Sequence, residues 1–430
     1  MVINREVFYM RNIFKDIDKK KILKASSYLL FPIFLITNFV FFISKTSNSS
    51  FVPSVFFSEG YENEPIAHAG TFITDSDKNL KTSIISFLND LYSTRNKSFT
   101  TGNVEDLYKF YDISQTFSSY SLKHEFKRIA FLRDWASERN ISFKNIESTP
   151  KILSLKENDN TYSLTLSEEY KLDYIYNDAA EKINNFGVSL IHTLELKTFG
   201  NSFIVTKDYY QDCFEGGLGQ YDFNLTEKNI PITKYRAYNL NFKINPTPEN
   251  SSNYNREAAV NYANKYSGIS FANNLDSKYN SNYYTYVAGS GNCTNFISQC
   301  LADSLEGGGI PQDKNWSYKF NESKGVMASE TWVNSEKLLE YLLSSNKAFI
   351  SFSGSFNEIL DSMSKSSNEI NLGDLVIYKQ GDYIEHSAII TGFDNAGYPL
   401  VNSNSIDKFK MPFDLGWNND TSEFYIVSLK

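Results

Sequence analysis

Cysteine, histidine and positive charge are all scarce in this chain of 430 residues. Three cysteines are too few for a disulfide framework, and their odd number leaves at least one thiol unpaired. The four histidines, His68, His124, His192 and His386, stand far apart, so their spacing writes no zinc cluster. Lys and Arg total 42 against 50 Asp and Glu, a net charge of −8. A whole chain that binds phosphates needs the opposite balance, which excludes nucleic acid as a general partner. No G-x-S-x-G elbow and no phosphate-binding loop occur, so serine-hydrolase and nucleotide readings fall away. Asp75, Asp77 and Asn79 imitate the start of a calcium loop, but Leu80 replaces its glycine and Ser86 its closing Glu. No metal or cofactor is therefore expected. What is abundant is core material: 41% hydrophobic and 16% aromatic residues exclude disorder for most of the chain. The length suggests two or three domains.

The first segment, 1–24, is basic, with Arg5, Arg11, Lys15, Lys19, Lys20, Lys21 and Lys24. An uncharged run follows at 25–44, from Ala25 to Ser44. A helix of that length crosses a hydrocarbon core of about 30 Å, with the basic side in the cytoplasm. Ser44-Lys45-Thr46-Ser47 is a poor cleavage site, so the run reads as a transmembrane signal anchor ahead of a signal peptide. The expectation is a single-pass protein of the cell membrane with an extracellular body, secreted where the leader is cleaved. Residues 45–75 read as a stalk, Ser-, Asn- and Gly-rich from Lys45 to Glu64.

An α+β accessory module is expected over 76–240. Ile84, Ile85, Leu88 and Leu91 make one helical face, and Phe126, Ile129, Ala130 and Trp135 another over 122–139. Pro150 breaks the chain. Lys151–Leu155, Thr161–Leu166, Tyr170–Tyr176, Ser189–Leu196 and Ser202–Tyr210 then read as strands. His192 alternates like its neighbours and is read as packing without a partner. The segment 241–253, with two prolines among polar residues, is the expected linker. The last region, 254–430, starts with helices, at Val260, Ala263 and Tyr266, from Asn292, and from Ser335 to Leu343. It ends in strands at Leu375–Tyr378, Tyr383–Thr391, Tyr398–Asn404 and Glu423–Ser428. The fold class is thus α+β: a membrane helix, a small module, then helices followed by an antiparallel β-meander.

Chemistry concentrates at Gly289-Ser290-Gly291-Asn292-Cys293-Thr294-Asn295-Phe296. The periodic residues Phe296, Ile297, Cys300 and Leu301 place Cys293 at a helix N-terminus, where the dipole and free N–H groups stabilise a thiolate. The same N–H groups suit an oxyanion. His386 is the only histidine downstream, on a strand face shared with Ile384, Ala388 and Ile390, and supplies a base. Its orientation needs a third group from the next strand, where Asn402 and Asn404 share a face and both stay open. Asn292, Thr294 and Asn295 are expected to support the helix start and the oxyanion site. Cys213 and Cys300 read as structural, and no spacing argues for a disulfide between them.

Tyr254-Asn255-Arg256-Glu257-Ala258-Ala259-Val260, Asn292-Cys293-Thr294-Asn295-Phe296-Ile297-Ser298-Gln299-Cys300, Trp332 and His386-Ser387-Ala388-Ile389-Ile390-Thr391 resemble the "putative bacterial amidase domain" family, which belongs with the papain-like, NlpC-type thiol hydrolases. The resemblance covers roughly the last two-fifths of the chain. It implies a papain-like cysteine hydrolase domain with Cys293 as nucleophile and His386 as base. The family usually has Asp before the cysteine, where this chain has Asn292. It often has a His-Thr pair on the last functional strand, matched here by Asn404-Ser405, which makes Asn404 the candidate orienting residue. The expected function is an exported or membrane-anchored hydrolase that cleaves an amide through a thioester, with peptide or peptidoglycan as the substrate guess. The competing class is a non-catalytic surface module that binds peptide or glycan in an inherited cleft.

Overall fold

Two long helices come first among the described residues, each written by apolar residues at helical spacing. Helix α1 spans Asp75–Thr101 and buries Ile84, Leu88, Leu91, Tyr92 and Phe99. Helix α2, Thr116–Glu138, buries Leu122, Phe126, Ile129 and Trp135. The computed structural model describes residues 75–273, 279–286, 292–321 and 325–430, and Ile73–Lys430 forms one compact unit.

Four long strands follow: β1 Ile141–Asn158, β2 Thr161–Tyr176, β3 Ala179–Phe199 and β4 Ser202–Tyr210. The expected strands lie inside them, but Pro150 does not break the chain. It sits within β1, opposite Glu168 of β2, and β1 is the edge of the sheet. A residue without an N–H is tolerated on an edge strand, where one side has no ladder to donate to.

The later region contributes α3 Arg256–Lys265, α4 Asn292–Ala302, α5 Ser335–Ser344 and α6 Phe356–Met363. Its strands are β5 Ala348–Gly354, β6 Leu375–Gln380, β7 Tyr383–Phe393, β8 Pro399–Ser403, β9 Asp407–Pro412 and β10 Ser422–Leu429. All ten strands form one antiparallel sheet in the order β1-β2-β3-β9-β8-β7-β6-β10-β5, with β4 also paired to β3. The join is short: Asp407, Lys408 and Phe409 of β9 pair with Ser189, Val188 and Gly187 of β3.

The halves also share a core. Trp135 of α2 lies in one apolar cluster with Phe356, Tyr398, Phe413 and Phe424. At its centre the fully buried Arg139 and Asp414 form an ion pair. Trp135 Nε1 donates to Asp414 Oδ2 at 3.1 Å and Arg139 Nε to the Tyr398 hydroxyl at 3.0 Å. The segment 241–253 is fastened too: Ile244 and Asn245 pair in parallel with Ile370 and Asn371, and Phe242 is buried. A second cluster, with Phe296, Leu301, Trp316, Trp332 and Leu338, packs α3, α4 and α5 against the sheet at Leu375, Ile377 and Ile389.

One expectation of the sequence is corrected. No helix among the described residues is long and apolar enough to cross a membrane, and the run assigned to a transmembrane helix, 25–44, lies outside the described residues. The membrane helix, the membrane as a partner and the single-pass or secreted topology that followed from it are therefore withdrawn. The basic segment 1–24 and most of the stalk assigned to 45–75 also lie outside the described residues.

Candidate active site

The motif at Tyr254–Ala263 proves to be a brace. Asn255 caps α3 by accepting the Ala258 N–H at 3.0 Å. Arg256 pairs with buried Asp374 at 2.7 Å and donates to the Leu372 carbonyl, while the Tyr254 hydroxyl donates to Gly373 O at 2.7 Å. These bonds clamp α3 to the turn that leads into β6, and so to the strand beside His386.

Helix α4 starts at Asn292, which puts Cys293 in its first turn. The glycine loop 289–291 ahead of it lies outside the described residues. Asn292 Oδ1 accepts from Tyr286 N–H at 3.2 Å and from Asn295 Nδ2 at 3.1 Å. Asn295 in turn accepts the Trp332 indole N–H at 2.9 Å and donates to Tyr284 O. Both asparagines therefore hold the helix start in place. Gln299 Oε1 accepts the Tyr262 hydroxyl at 2.9 Å and ties α4 to α3.

The Cys293 sulfur rests on hydroxyls. Thr294 Oγ1 is 3.7 Å away and Ser335 Oγ 3.9 Å. Thr294, Ser335 and Ser387 are linked to one another at 2.7, 3.5 and 3.3 Å. Burial alone would push the thiol up. The electrostatic influence of His386, with the Thr294 hydroxyl and the Ser387 backbone N–H, outweighs it and holds the thiol at about 6. Cys213 and Cys300 go the other way: burial drives both well above the ordinary thiol range. All three are free thiols, so no Cys213–Cys300 bond exists.

His386 is positioned by aromatic packing. The Tyr378 ring lies at 5.5 Å and the Trp417 ring at 6.2 Å, and those two rings stack on each other at 4.5 Å. Neither candidate asparagine meets it. Asn402 is spent elsewhere: its Oδ1 accepts from Thr391 Oγ1 at 2.7 Å and Lys410 N–H at 2.8 Å, and its Nδ2 donates to Ala263 O and Asn264 Oδ1 at 3.0 Å. Asn404 is buried with its Oδ1 unpartnered among the described residues, as is His386 Nε2. It faces a recess with Asn292, Asn295 and Gln299.

Sequence reasoning missed three contributors. Ser335 and Ser387 carry no motif of their own, although Ser387 follows His386 directly. Ser405 is the third: its hydroxyl accepts the Cys293 backbone N–H at 3.0 Å, the donor a tetrahedral intermediate would need. Ser405 stands at φ +88°, a conformation that a side chain normally avoids. Only its Asn404-Ser405 pairing hinted at a place in the site.

The accessory half reaches the same place. Gly416, at φ +98°, has no room for a Cβ, which would meet the Cys213 carbonyl at 2.2 Å. That contact seats the segment 211–219 beside His386 around a cavity of about 380 Å³. Behind the segment runs a buried ionic network, and here His192 differs from its reading as partnerless packing. His192 Nδ1 is 2.9 Å from Asp208 and Nε2 3.3 Å from Glu168, which also pairs with Arg95. Arg128 is 2.8 Å from Asp212 and 3.0 Å from Glu125, and His124 is 2.9 Å from Asp212. Burial would lower His192, but the two carboxylates lift it to about 9. Among the described residues no group of three His, Cys, Asp or Glu side chains is placed to hold a metal ion.

Residues 253–427 match the family described as "Putative amidase domain". The chain is also similar to a Bacillus subtilis (strain 168) protein named "Uncharacterized protein YhbB". The two are 27% identical over 192 residues, which cover 41% of this chain and 48% of that protein. The chain thus spans about half the length of the curated relative it matches. Neither match names peptide or peptidoglycan, and nothing in the site's geometry selects either, so that partner is withdrawn as well. The C-terminal region, 253–427, matches an amidase domain, and the match supports a hydrolase-type activity.

Proposed function

We propose that the C-terminal region is a papain-like cysteine amidase, with Cys293 as nucleophile and His386 as its acid–base partner. The observation that carries this reading is the placement of Cys293 in the first turn of α4, with its sulfur 3.7 Å from the Thr294 hydroxyl and its N–H toward Ser405; His386 lowers the thiol to about 6 despite burial. A structural cysteine has no use for that arrangement, and Cys300 on the same helix is pushed the opposite way. In the proposed reaction the Cys293 thiolate adds to an amide carbonyl, and the C=O electron pair moves to oxygen. The Cys293 N–H takes the oxyanion once the Ser405 hydroxyl gives it up. The C–N bond then breaks as His386 passes its proton to the leaving amine. His386 next removes a proton from water, whose oxygen adds to the thioester, and the thiolate departs with release of the acid.

The competing reading, a binding cleft without catalysis, draws on one observation: among the described residues neither Asn402 nor Asn404 bonds to His386. The stack of Tyr378 and Trp417 offers another way to hold the ring, and a cleft that only binds does not need a low-pKa thiol. The test is hydrolysis of a panel of acyl anilides by the full chain, Cys293→Ala and His386→Ala. Loss of at least about 10²-fold in both variants is expected. Turnover that survives Cys293→Ala overturns the assignment.

A further inference from the structure

We propose that the cavity between the segment 211–219 and the catalytic sheet is a carboxylate subsite, with Lys408 as its counter-ion, so that the enzyme acts on amides carrying a free carboxylate a few atoms from the scissile carbonyl. The proposal deepens the cysteine-amidase reading and rests on it for the bond that is cut.

Lys408 lies on β9 at the join of the two halves, opposite Val188 of β3 and Ser403 of β8. It is 7% exposed and lines the cavity with His386 and Ser405. Among the described residues its ammonium has no hydrogen bond or ion pair. A buried charge without a partner is costly, and a ligand carboxylate in the cavity would offset that cost. The buried acid on the cavity wall does not serve: Asp212 already engages Arg128, His124 and the Phe214 N–H. The other two acids on the cavity wall, Glu215 and Glu385, are exposed. Burial disfavours the charged lysine, while Cys213, Asp212 and Cys293 pull the other way. The ammonium is thus within electrostatic reach of the reacting sulfur, and a ligand carboxylate would neutralise it beside the scissile bond. The accessory half then has a part in substrate binding, because residues 211–219 build one wall of the cavity and β3 holds the strand that carries Lys408.

The test uses two alkylators that differ only in this feature, iodoacetate and iodoacetamide, on the folded full chain. Rates at Cys293 are read by peptide mapping, and their ratio cancels any change in the thiol itself. Lys408→Met should lower the iodoacetate-to-iodoacetamide ratio about tenfold, and Lys408→Arg should keep it. A ratio unchanged in Lys408→Met overturns the subsite while leaving the Cys–His pair standing. Iodoacetamide that does not prefer Cys293 strikes the amidase reading instead. Should Lys408→Met fail to fold, the wild-type chain decides: iodoacetate labelling should saturate and be competed by glutarate, whereas iodoacetamide labelling should stay linear in reagent. Linear, uncompeted labelling by both reagents also overturns the subsite.

Discussion

Replacing His386 by Ala tests the electrostatics of the site, and the effect reverses with pH. With the thiol at about 6, about one-tenth is thiolate at pH 5 and about nine-tenths at pH 7. Without the imidazole the thiol returns to at least its ordinary 9.0. The thiolate fraction then falls to about 10⁻⁴ at pH 5, about 10⁻² at pH 7 and about one-half at pH 9. A more basic thiolate is also a better nucleophile, and a Brønsted slope near 0.45 over about three pKa steps is worth about 20-fold. The product of the two terms sets the rate of reaction with a small disulfide reagent. His386→Ala should be about 45-fold slower than wild type at pH 5, about 4-fold slower at pH 7 and about 10-fold faster at pH 9. Residual burial of the sulfur raises the variant's pKa further, which deepens the loss at pH 5 and moves the crossover upward. Stopped-flow thiol titration with peptide mapping reads this directly. Parallel pH profiles for the two proteins, without a crossing, would refute the argument that His386 sets the thiol.

Other perturbations separate support from chemistry. Ser405→Gly removes both the hydroxyl that occupies the Cys293 N–H and a side chain at φ +88°. Amide hydrolysis should rise about 2- to 10-fold, the worth of one hydrogen bond; a fall would show that the hydroxyl itself takes part. Asn402→Ala should cost about 1–3 kcal/mol in urea unfolding, because it leaves the Lys410 N–H and Thr391 hydroxyl unpaired. Asn404→Ala should alter Cys293 labelling less than about twofold, since its oxygen is unengaged; a tenfold loss would restore it as the orienting group. Asp414→Asn strands the buried Arg139 charge and should cost about 3–5 kcal/mol, and wild-type stability in urea would contradict the shared core. His192 is lifted to about 9, so its contribution is full below an unfolded pKa of about 6.5 and is lost as pH rises through 9. Wild type should therefore lose stability relative to His192→Gln between those limits, by about 3 kcal/mol, and a pH-independent difference would show that the network does not hold the ring protonated.

The elements with strong periodicity were legible in the sequence, and those whose signal comes from their neighbours were not. Helix α4 could be placed because Phe296, Ile297, Cys300 and Leu301 repeat on one face, and β7 because Ile384, His386, Ala388 and Ile390 alternate. Strand β9 has no such signal: Asp407-Lys408-Phe409-Lys410 reads as polar loop, yet it is the strand that joins the halves. Asp407 and Lys408 are buried there, which no local pattern reveals. Pro150 misled for the complementary reason, since only the sheet order makes β1 an edge. Within the site, Cys293 and His386 were marked by helix start and strand face. The asparagine expected to orient His386 was not, because shared facing along a strand does not say which partner an amide meets. His192 and its carboxylates were missed likewise: Glu168, Asp208 and Arg95 lie on separate elements that only the fold brings together.

The most direct measurement is capture of the acyl-enzyme. Wild type mixed with an activated acyl anilide and quenched in acid should carry the acyl group on Cys293 by intact-mass and peptide analysis. The adduct should be absent from Cys293→Ala and should persist in His386→Ala when a thiol-reactive acyl ester replaces the anilide. Hydrolysis that proceeds without any adduct at Cys293, or an adduct found on another residue instead, would contradict the thioester route.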